Sequence, residues 1–240
     1  MVALFLAVAL AQGPACSPDA LALMKAANDR AAAFDLAGAA QRLQSAVISG
    51  CADAEVPWLY LRGWIAAREA YRHGGSPESL RPVLQAIAKL QAIGASGPAQ
   101  MASLVLQAAA AAAQSERDEL ALMIDYAVLL EGRNLSARLP GLPILTAHEA
   151  AGELWLQVYR YDEALRAYKR AAEQVGTTPR VTLGLARTAV RLEALATACT
   201  QYRAFVAAWT GTGAEPSELS EARTFLTNAE CQQRAVTPRP

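Results

Sequence analysis

The chain has 240 residues, of which 53% are hydrophobic and 18% charged, and its 22 basic residues balance its 22 acidic residues. The modest charge content argues against a disordered chain, and the zero net charge argues against a nucleic-acid-binding protein. Alanine is abundant, including a run at 108–113, while aromatic residues make up only 6%. This composition favours close-packed helices over strands, so we expect an all-α protein.

An uncharged apolar stretch, VALFLAVALA, occupies residues 2–11. It is too short to span a bilayer as a helix, and Ala9-Leu10-Ala11 has the small-x-small form of an export cleavage site. We therefore interpret residues 1–11 as a signal peptide, which predicts an exported protein of the periplasm or cell envelope. No basic residue precedes the stretch, so a buried first helix in a cytoplasmic protein is the alternative.

Residues 16–131 are predicted to form helical hairpins with a degenerate repeat. The first helix begins after Ser17, which is a good helix cap, and Pro18, which is tolerated at the first helical position. Small and apolar residues in the first hairpin are separated by 12, 4 and 3 residues, at Ala27, Ala39, Leu43 and Ala46. Further helices follow, and Ser115 and Asp118 have the spacing of a capping box.

A segment rich in turn-forming residues interrupts the helical pattern, so we predict an irregular linker at 132–145. The spacing of Thr146 and Glu149 is that of a capping box, which predicts a new helix. From there to residue 209 the sequence repeats after 34 residues, with the matched pairs Gly152/Ala186, Ala164/Ala198, Tyr168/Tyr202 and Ala171/Phe205.

In its period and in its placement of small and aromatic residues, the segment 146–209 resembles two repeats of the tetratricopeptide repeat family. The resemblance is carried by Gly152, Ala164, Tyr168 and Ala171. It implies an α-solenoid of antiparallel helix pairs, with about 10 to 11 helices in the whole chain. Gly152 and Ala186 would then allow the helices of a pair to approach, and Tyr168 and Tyr202 would fill the wedge to the next pair.

We predict a final helix at 216–233 that covers the apolar edge of the last repeat, and a disordered tail at 234–240. The four cysteines fall as two pairs near the ends of the chain, Cys16 with Cys51 and Cys199 with Cys231. Antiparallel helices would bring the members of each pair together, which predicts two disulfides in an exported protein. Four reduced, buried cysteines are the alternative.

Arg180, Arg187 and Arg191 follow one another at steps of 7 and 4, which places them on one face of a helix. The first helix of the preceding repeat offers polar residues on the same side, namely Glu149, Glu153 and Gln157. The family resemblance implies that this face lines a concave groove. We predict that these six residues bind a peptide or an acidic chain terminus of a protein partner. A solvated face with acid-base pairs between repeats is the alternative.

The sequence contains no recognisable catalytic motif. His148 and Glu149 do not continue into a zinc-protease motif, because residue 152 is glycine and the only other histidine is His73. Neither a phosphate-binding loop nor a nucleophile elbow occurs, so we predict no metal, no cofactor and no enzymatic activity. The alternative is an enzyme or enzyme accessory with a pocket in the amino-terminal helices, around Trp58, Trp64, Tyr71 and His73.

Overall fold

The computed structural model describes residues 17–32, 34–45, 52–94, 97–133, 145–209, 215–228 and 231–232. These residues are helical, as predicted, and they form eleven helices: α1 Pro18–Ala32, α2 Leu36–Ser45, α3 Ala52–Arg72, α4 Pro77–Ile93, α5 Gly97–Ala113, α6 Arg117–Arg133, α7 Ala147–Gln157, α8 Tyr161–Val175, α9 Pro179–Arg191, α10 Leu195–Ala208 and α11 Ser217–Leu226. Within the described ranges, every helix is too short or too polar to serve as a membrane span. The predicted signal peptide, Cys16, Ala46, Cys51, most of the predicted linker and the tail lie outside these residues.

The helices pack in adjacent pairs, and turns of one type connect the two helices of each of the first five pairs. Each turn has a residue with a left-handed φ between 55° and 68° at the same position, namely Phe34, Gly74, Ser115, Tyr159 and Glu193, and Gly75 adds a second one in the turn after α3. The next amide donates a hydrogen bond to the carbonyl five residues earlier, as Asp35 does to Arg30 and Ala194 to Ala189, both at 2.9 Å. This is the Schellman motif, which ends a helix and redirects the chain. Ser115 therefore ends α5, and the capping box predicted for it is wrong.

We expect that Glu193→Gly raises the free energy of unfolding by about 0.5 to 1 kcal/mol. A left-handed φ brings the Cβ atom of a non-glycine residue close to the backbone, and glycine has no Cβ atom. Glu193 is exposed, so the substitution removes little packing. Urea unfolding followed by circular dichroism measures the change. The control, Ala204→Gly on the exposed face of α10, should lower the same free energy by about 1 kcal/mol, and a loss for both variants would contradict the expectation.

The alanine run lies in the most buried helix of the protein. All of 108–113 is buried in α5, which packs against α3, α4, α6 and α7. Small side chains let four helices approach one helix closely. Successive odd-numbered helices also contact one another, α1 with α3, α3 with α5, α5 with α7 and α7 with α9. The odd-numbered helices from α1 to α9 thus form one continuous layer.

The last helix, α11, packs on α10 and buries Leu219 and Ala222 against Tyr202 and Phe205. It ends at Leu226, where residues 227–228 form a turn, and residues 231–232 are helical again; the predicted end at residue 233 lies outside the described residues. Cys231 follows this turn and forms a disulfide with Cys199, with the two Cα atoms 5.5 Å apart. This disulfide is one of the two that the sequence predicts.

Candidate functional site

A cleft of about 400 Å³ lies between the turn of the first helix pair and helices α3, α7, α9 and α11. We refer to it as the cleft. Four of the six residues predicted to bind a partner line it, namely Glu153, Gln157, Arg180 and Arg187. They come from α7 and α9, two neighbouring members of the odd-numbered layer. The other charged residues of the lining were not identified from the sequence: Asp35, Arg68, Arg72 and Glu218.

The remaining two predicted binding residues do not line the cleft. Glu149 is only 4% exposed, and its carboxylate accepts hydrogen bonds from the Thr146 amide at 2.9 Å and the Thr178 hydroxyl at 3.2 Å. The first of these belongs to the predicted capping box, in which the Glu149 amide also donates to the Thr146 hydroxyl. Glu149 therefore caps α7 and ties it to the start of α9. Arg191 is exposed at the end of α9.

An ion cluster lies in the wall of the cleft. Glu153 forms an ion pair with Arg68 of α3, with the nearest N and O atoms 2.6 Å apart, and Arg180 of α9 lies 3.8 Å from its other carboxylate oxygen. The three side chains are between 12% and 23% exposed. One carboxylate thus faces two guanidinium groups, so the cluster has a net positive charge. Such a charge, partly screened from water, attracts an anionic group of a ligand.

A second ion pair joins α9 to α11. Arg187 donates from Nε at 2.9 Å and from Nη2 at 2.5 Å to the Glu221 carboxylate, which also accepts from the Tyr202 hydroxyl at 2.7 Å. Burial raises the pKa of Glu221, but the hydrogen bonds and charge of Arg187 outweigh it, so this pKa lies below its ordinary value. Glu221 was not identified from the sequence, because its pairing depends on how α11 packs.

We expect that Glu221→Gln lowers the free energy of unfolding by about 1 kcal/mol at neutral pH. A carboxyl group whose pKa is lowered by folding stabilises the protein above its unfolded pKa of about 4.3, and this contribution disappears as the pH falls through the folded pKa. The loss should therefore be smaller at about pH 3 than at neutral pH. Urea unfolding of both proteins at the two pH values tests this. Exposed Glu193→Gln is the control, and an equal loss at both pH values would contradict the expectation.

Tyr168 forms part of the floor of the cleft and joins two helix pairs. Its ring lies between Gly152 of α7 and Gly184 of α9, where an added Cβ atom would come within 2.8 Å and 2.2 Å of ring carbons. Burial raises the pKa of Tyr168 well above its ordinary value. The other predicted repeat-packing residues are also buried, namely Ala164, Ala171, Ala186, Ala198 and Tyr202. Gly184 was not identified from the sequence, because the 34-residue overlay pairs Gly152 with Ala186.

Next to the ion cluster, α3 and α7 contribute two hydrogen-bond donors to the cleft. Arg72 follows Arg68 by one helix turn, and Gln157 follows Glu153 by one turn. The Nε2 atom of Gln157 is buried and meets no acceptor in the described part of the chain. Arg72 donates to Glu69 of its own helix at 3.0 Å, in an exposed pair. An acceptor on a bound molecule would satisfy the Gln157 amide beside a guanidinium group.

Three of the four residues of the predicted enzymatic pocket, Trp58, Trp64 and Tyr71, pack in or against the main core. Trp64 is buried in the main core, and Trp58 donates to the Leu43 carbonyl. Tyr71 donates to the backbone carbonyl of Gln157 at 3.0 Å, and His73 is exposed beside Glu69. None of the four lines the cleft or a second cavity, of about 430 Å³, where residues of α6, α7 and α8 meet around His148. Burial lowers the pKa of His148.

The cleft therefore combines a net positive cluster and an unpaired amide donor from three helices that are distant in sequence. Among the described residues, no group of three or more histidine, cysteine or acidic side chains could hold a metal ion. The arrangement can bind an anionic or carbonyl-bearing group. Comparisons of the chain with protein-family models, with curated proteins and with solved structures found no match.

Proposed function

We propose that the protein is a non-enzymatic interaction module, an α-solenoid of tetratricopeptide-like helix pairs that binds a peptide segment of a partner protein in the cleft. Three features support the solenoid arrangement: the same turn in five pairs, the continuous layer of odd-numbered helices, and Tyr168 between glycines of two successive pairs. Arrays of this kind present a concave face to their partners.

The observation that carries the proposed function is the buried, unpaired amide donor of Gln157 beside the cationic residues of the cleft. A buried donor without an acceptor lowers stability. Gln157 lines the cleft, so a bound ligand can supply the missing acceptor. A peptide carboxylate would accept from Gln157 and Arg72 together and would lie near the net positive cluster of Arg68, Glu153 and Arg180. We therefore propose a ligand with an acidic side chain or a free carboxyl terminus.

The proposed location is the cell envelope. The Cys199–Cys231 disulfide supports it, because such bonds persist mainly in oxidising compartments. A thiol count on denatured, non-reduced protein isolated from the native source should find no free thiols. Four free thiols would contradict both predicted disulfides and favour the cytoplasm.

Selection from a library of random peptides with free carboxyl termini tests the proposed function. We expect enrichment of acidic peptides, and we expect Arg72→Met and Gln157→Leu each to weaken their binding by about tenfold or more. Fluorescence anisotropy of a labelled, selected peptide measures this. Gln157→Leu also removes an unpaired buried donor, so it should not lower the free energy of unfolding. Weaker peptide binding by this variant then cannot result from unfolding.

Arg166→Met is the matched control. It removes the same charge from α8, where Arg166 is exposed and does not line the cleft. It should bind the selected peptide as the wild type does. The proposed function would be wrong if no peptide were enriched, or if Arg72→Met and Arg166→Met bound the selected peptide equally well.

A further inference from the structure

The turn of the first helix pair packs against the last helix pair. The Phe34 ring meets the Phe205 ring edge-on, with centroids 5.7 Å apart, and lies 6.4 Å from the Trp209 ring. Phe34 also packs into the buried cluster that contains Leu183 of α9. Its φ of 63° is unusual for a bulky residue. Residues about 170 positions apart are thus joined through one side chain at the tip of a turn.

Arg180 connects the same turn to the cleft. Its guanidinium group donates to the carbonyl of Ala31 at 2.6 Å and lies 5.3 Å from the centroid of the Phe34 ring. The same side chain belongs to the ion cluster around Glu153. A cation of the cleft wall is therefore occupied in holding the first helix pair in place.

The first helix pair is otherwise packed separately from the main core. Its buried side chains form two small clusters with α3: Met24 packs with Ala54, and the other buried residues pack with Leu61, while Trp58 contacts both clusters. None of the buried members of the main cluster belongs to α1 or α2. The pair is thus attached at α3 and, across the cleft, at Phe34.

We propose that the first helix pair is a strap that closes the cleft, with Phe34 as an intramolecular occupant of the aromatic surface formed by Phe205 and Trp209. The regulatory role of the strap rests on the proposed function: a ligand that enters the cleft competes with the turn for Arg180 and displaces Phe34. Because α3 tethers the turn, the effective concentration of Phe34 at the aromatic surface is high. The closed form therefore dominates without ligand. The few side-chain contacts that hold the turn limit the strength of the closure.

A thiol placed under the strap reports its opening without any ligand. Leu183 is buried, lines the cleft and packs in the same cluster as Phe34, so the cysteine in Leu183→Cys should react slowly with a soluble thiol reagent. Adding Phe34→Gly removes the ring and suits the left-handed backbone. We expect the labelling rate to rise by about tenfold or more.

The exposed cysteine in Arg166→Cys is the control and should react at one rate with or without Phe34→Gly. Phe34→Leu, which keeps an apolar side chain without a ring, should give an intermediate rate at Leu183→Cys and provides a second variant if Phe34→Gly folds poorly. If the cysteine in Leu183→Cys were labelled at the same rate with Phe34, Phe34→Leu and Phe34→Gly, the proposal that the turn closes the cleft would be wrong.

The regulatory role has its own readout. Phe34→Gly should bind a selected acidic peptide about tenfold more tightly than the wild type, because no strap competes. Equal affinity of the two proteins would overturn the competition. The labelling assay needs no peptide, so faster labelling without any enriched peptide would contradict the proposed function and not the strap's closure.

Discussion

Replacing Cys199 and Cys231 together by alanine is expected to lower the free energy of unfolding by about 3 to 4 kcal/mol. The disulfide joins residues separated by 32 positions. Closing a loop of this length lowers the conformational entropy of the unfolded chain, which destabilises the unfolded state by about 3 to 4 kcal/mol. Both cysteines are fully buried, so alanine leaves only small cavities. Urea unfolding followed by circular dichroism measures the loss.

Without the disulfide, we expect the structure to loosen first at the carboxy-terminal end of the described chain. The segment around Cys231 is held to α10 by the disulfide and by a hydrogen bond from Arg203 to the Cys231 carbonyl. Without the disulfide, we expect faster hydrogen exchange in α11 than in α5, which is central to the main core. Wild-type protein with reductant should lose at least as much stability as the double variant. An unchanged unfolding midpoint in the double variant would contradict the prediction.

Gly184→Ala is expected to lower the free energy of unfolding by about 2 to 3 kcal/mol. The new Cβ atom would lie 2.2 Å from Cζ of Tyr168, so the ring or the helix must move. The ring cannot move freely, because it also lies close to Gly152 of α7, where an added Cβ atom would come within 2.8 Å of ring carbons. The substitution therefore forces α7 and α9 apart at the floor of the cleft. Thermal or urea unfolding measures the change.

Gly132→Ala is the matched control for this prediction. Gly132 lies in α6, where an added Cβ atom meets nothing within 4 Å. Alanine favours a helix over glycine, so this variant should keep or raise the free energy of unfolding by up to about 1 kcal/mol. If both alanine variants were equally stable, Tyr168 would not be confined between the two glycines.

Local patterns predicted the helices and several of their ends. Thr146 and Glu149 form the predicted capping box, because all the interacting atoms lie within one turn of helix. Ser115 shows where local patterns are ambiguous. Its spacing to Asp118 suits a cap, yet its left-handed φ places it in the turn that ends α5. The same residue type serves both roles, and the packing of α5 against α6 decides between them.

The cleft could be predicted only in part. The charge pattern identified Glu153, Gln157, Arg180 and Arg187, because they share helix faces in the two clearest repeats. It also included Glu149, which has the same periodicity but is buried at a helix start. Arg68, Arg72 and the role of Phe34 were not identified, since a single sequence contains no signal that brings α1 and α3 next to α9.

The amino-acid sequence by itself determined what depends on neighbours along the chain: the all-helical fold, the capping box at Thr146 and the periodic faces of α7 and α9. Only the tertiary structure decided which charges pair, that Tyr168 lies between Gly152 and Gly184, and that Phe34 reaches across the cleft to Phe205. The physical reason is the separation along the chain of the residues that interact. Helix periodicity and capping involve residues within four positions, whereas Arg180 meets the Ala31 carbonyl across 149 positions, through the cumulative packing of the intervening helices.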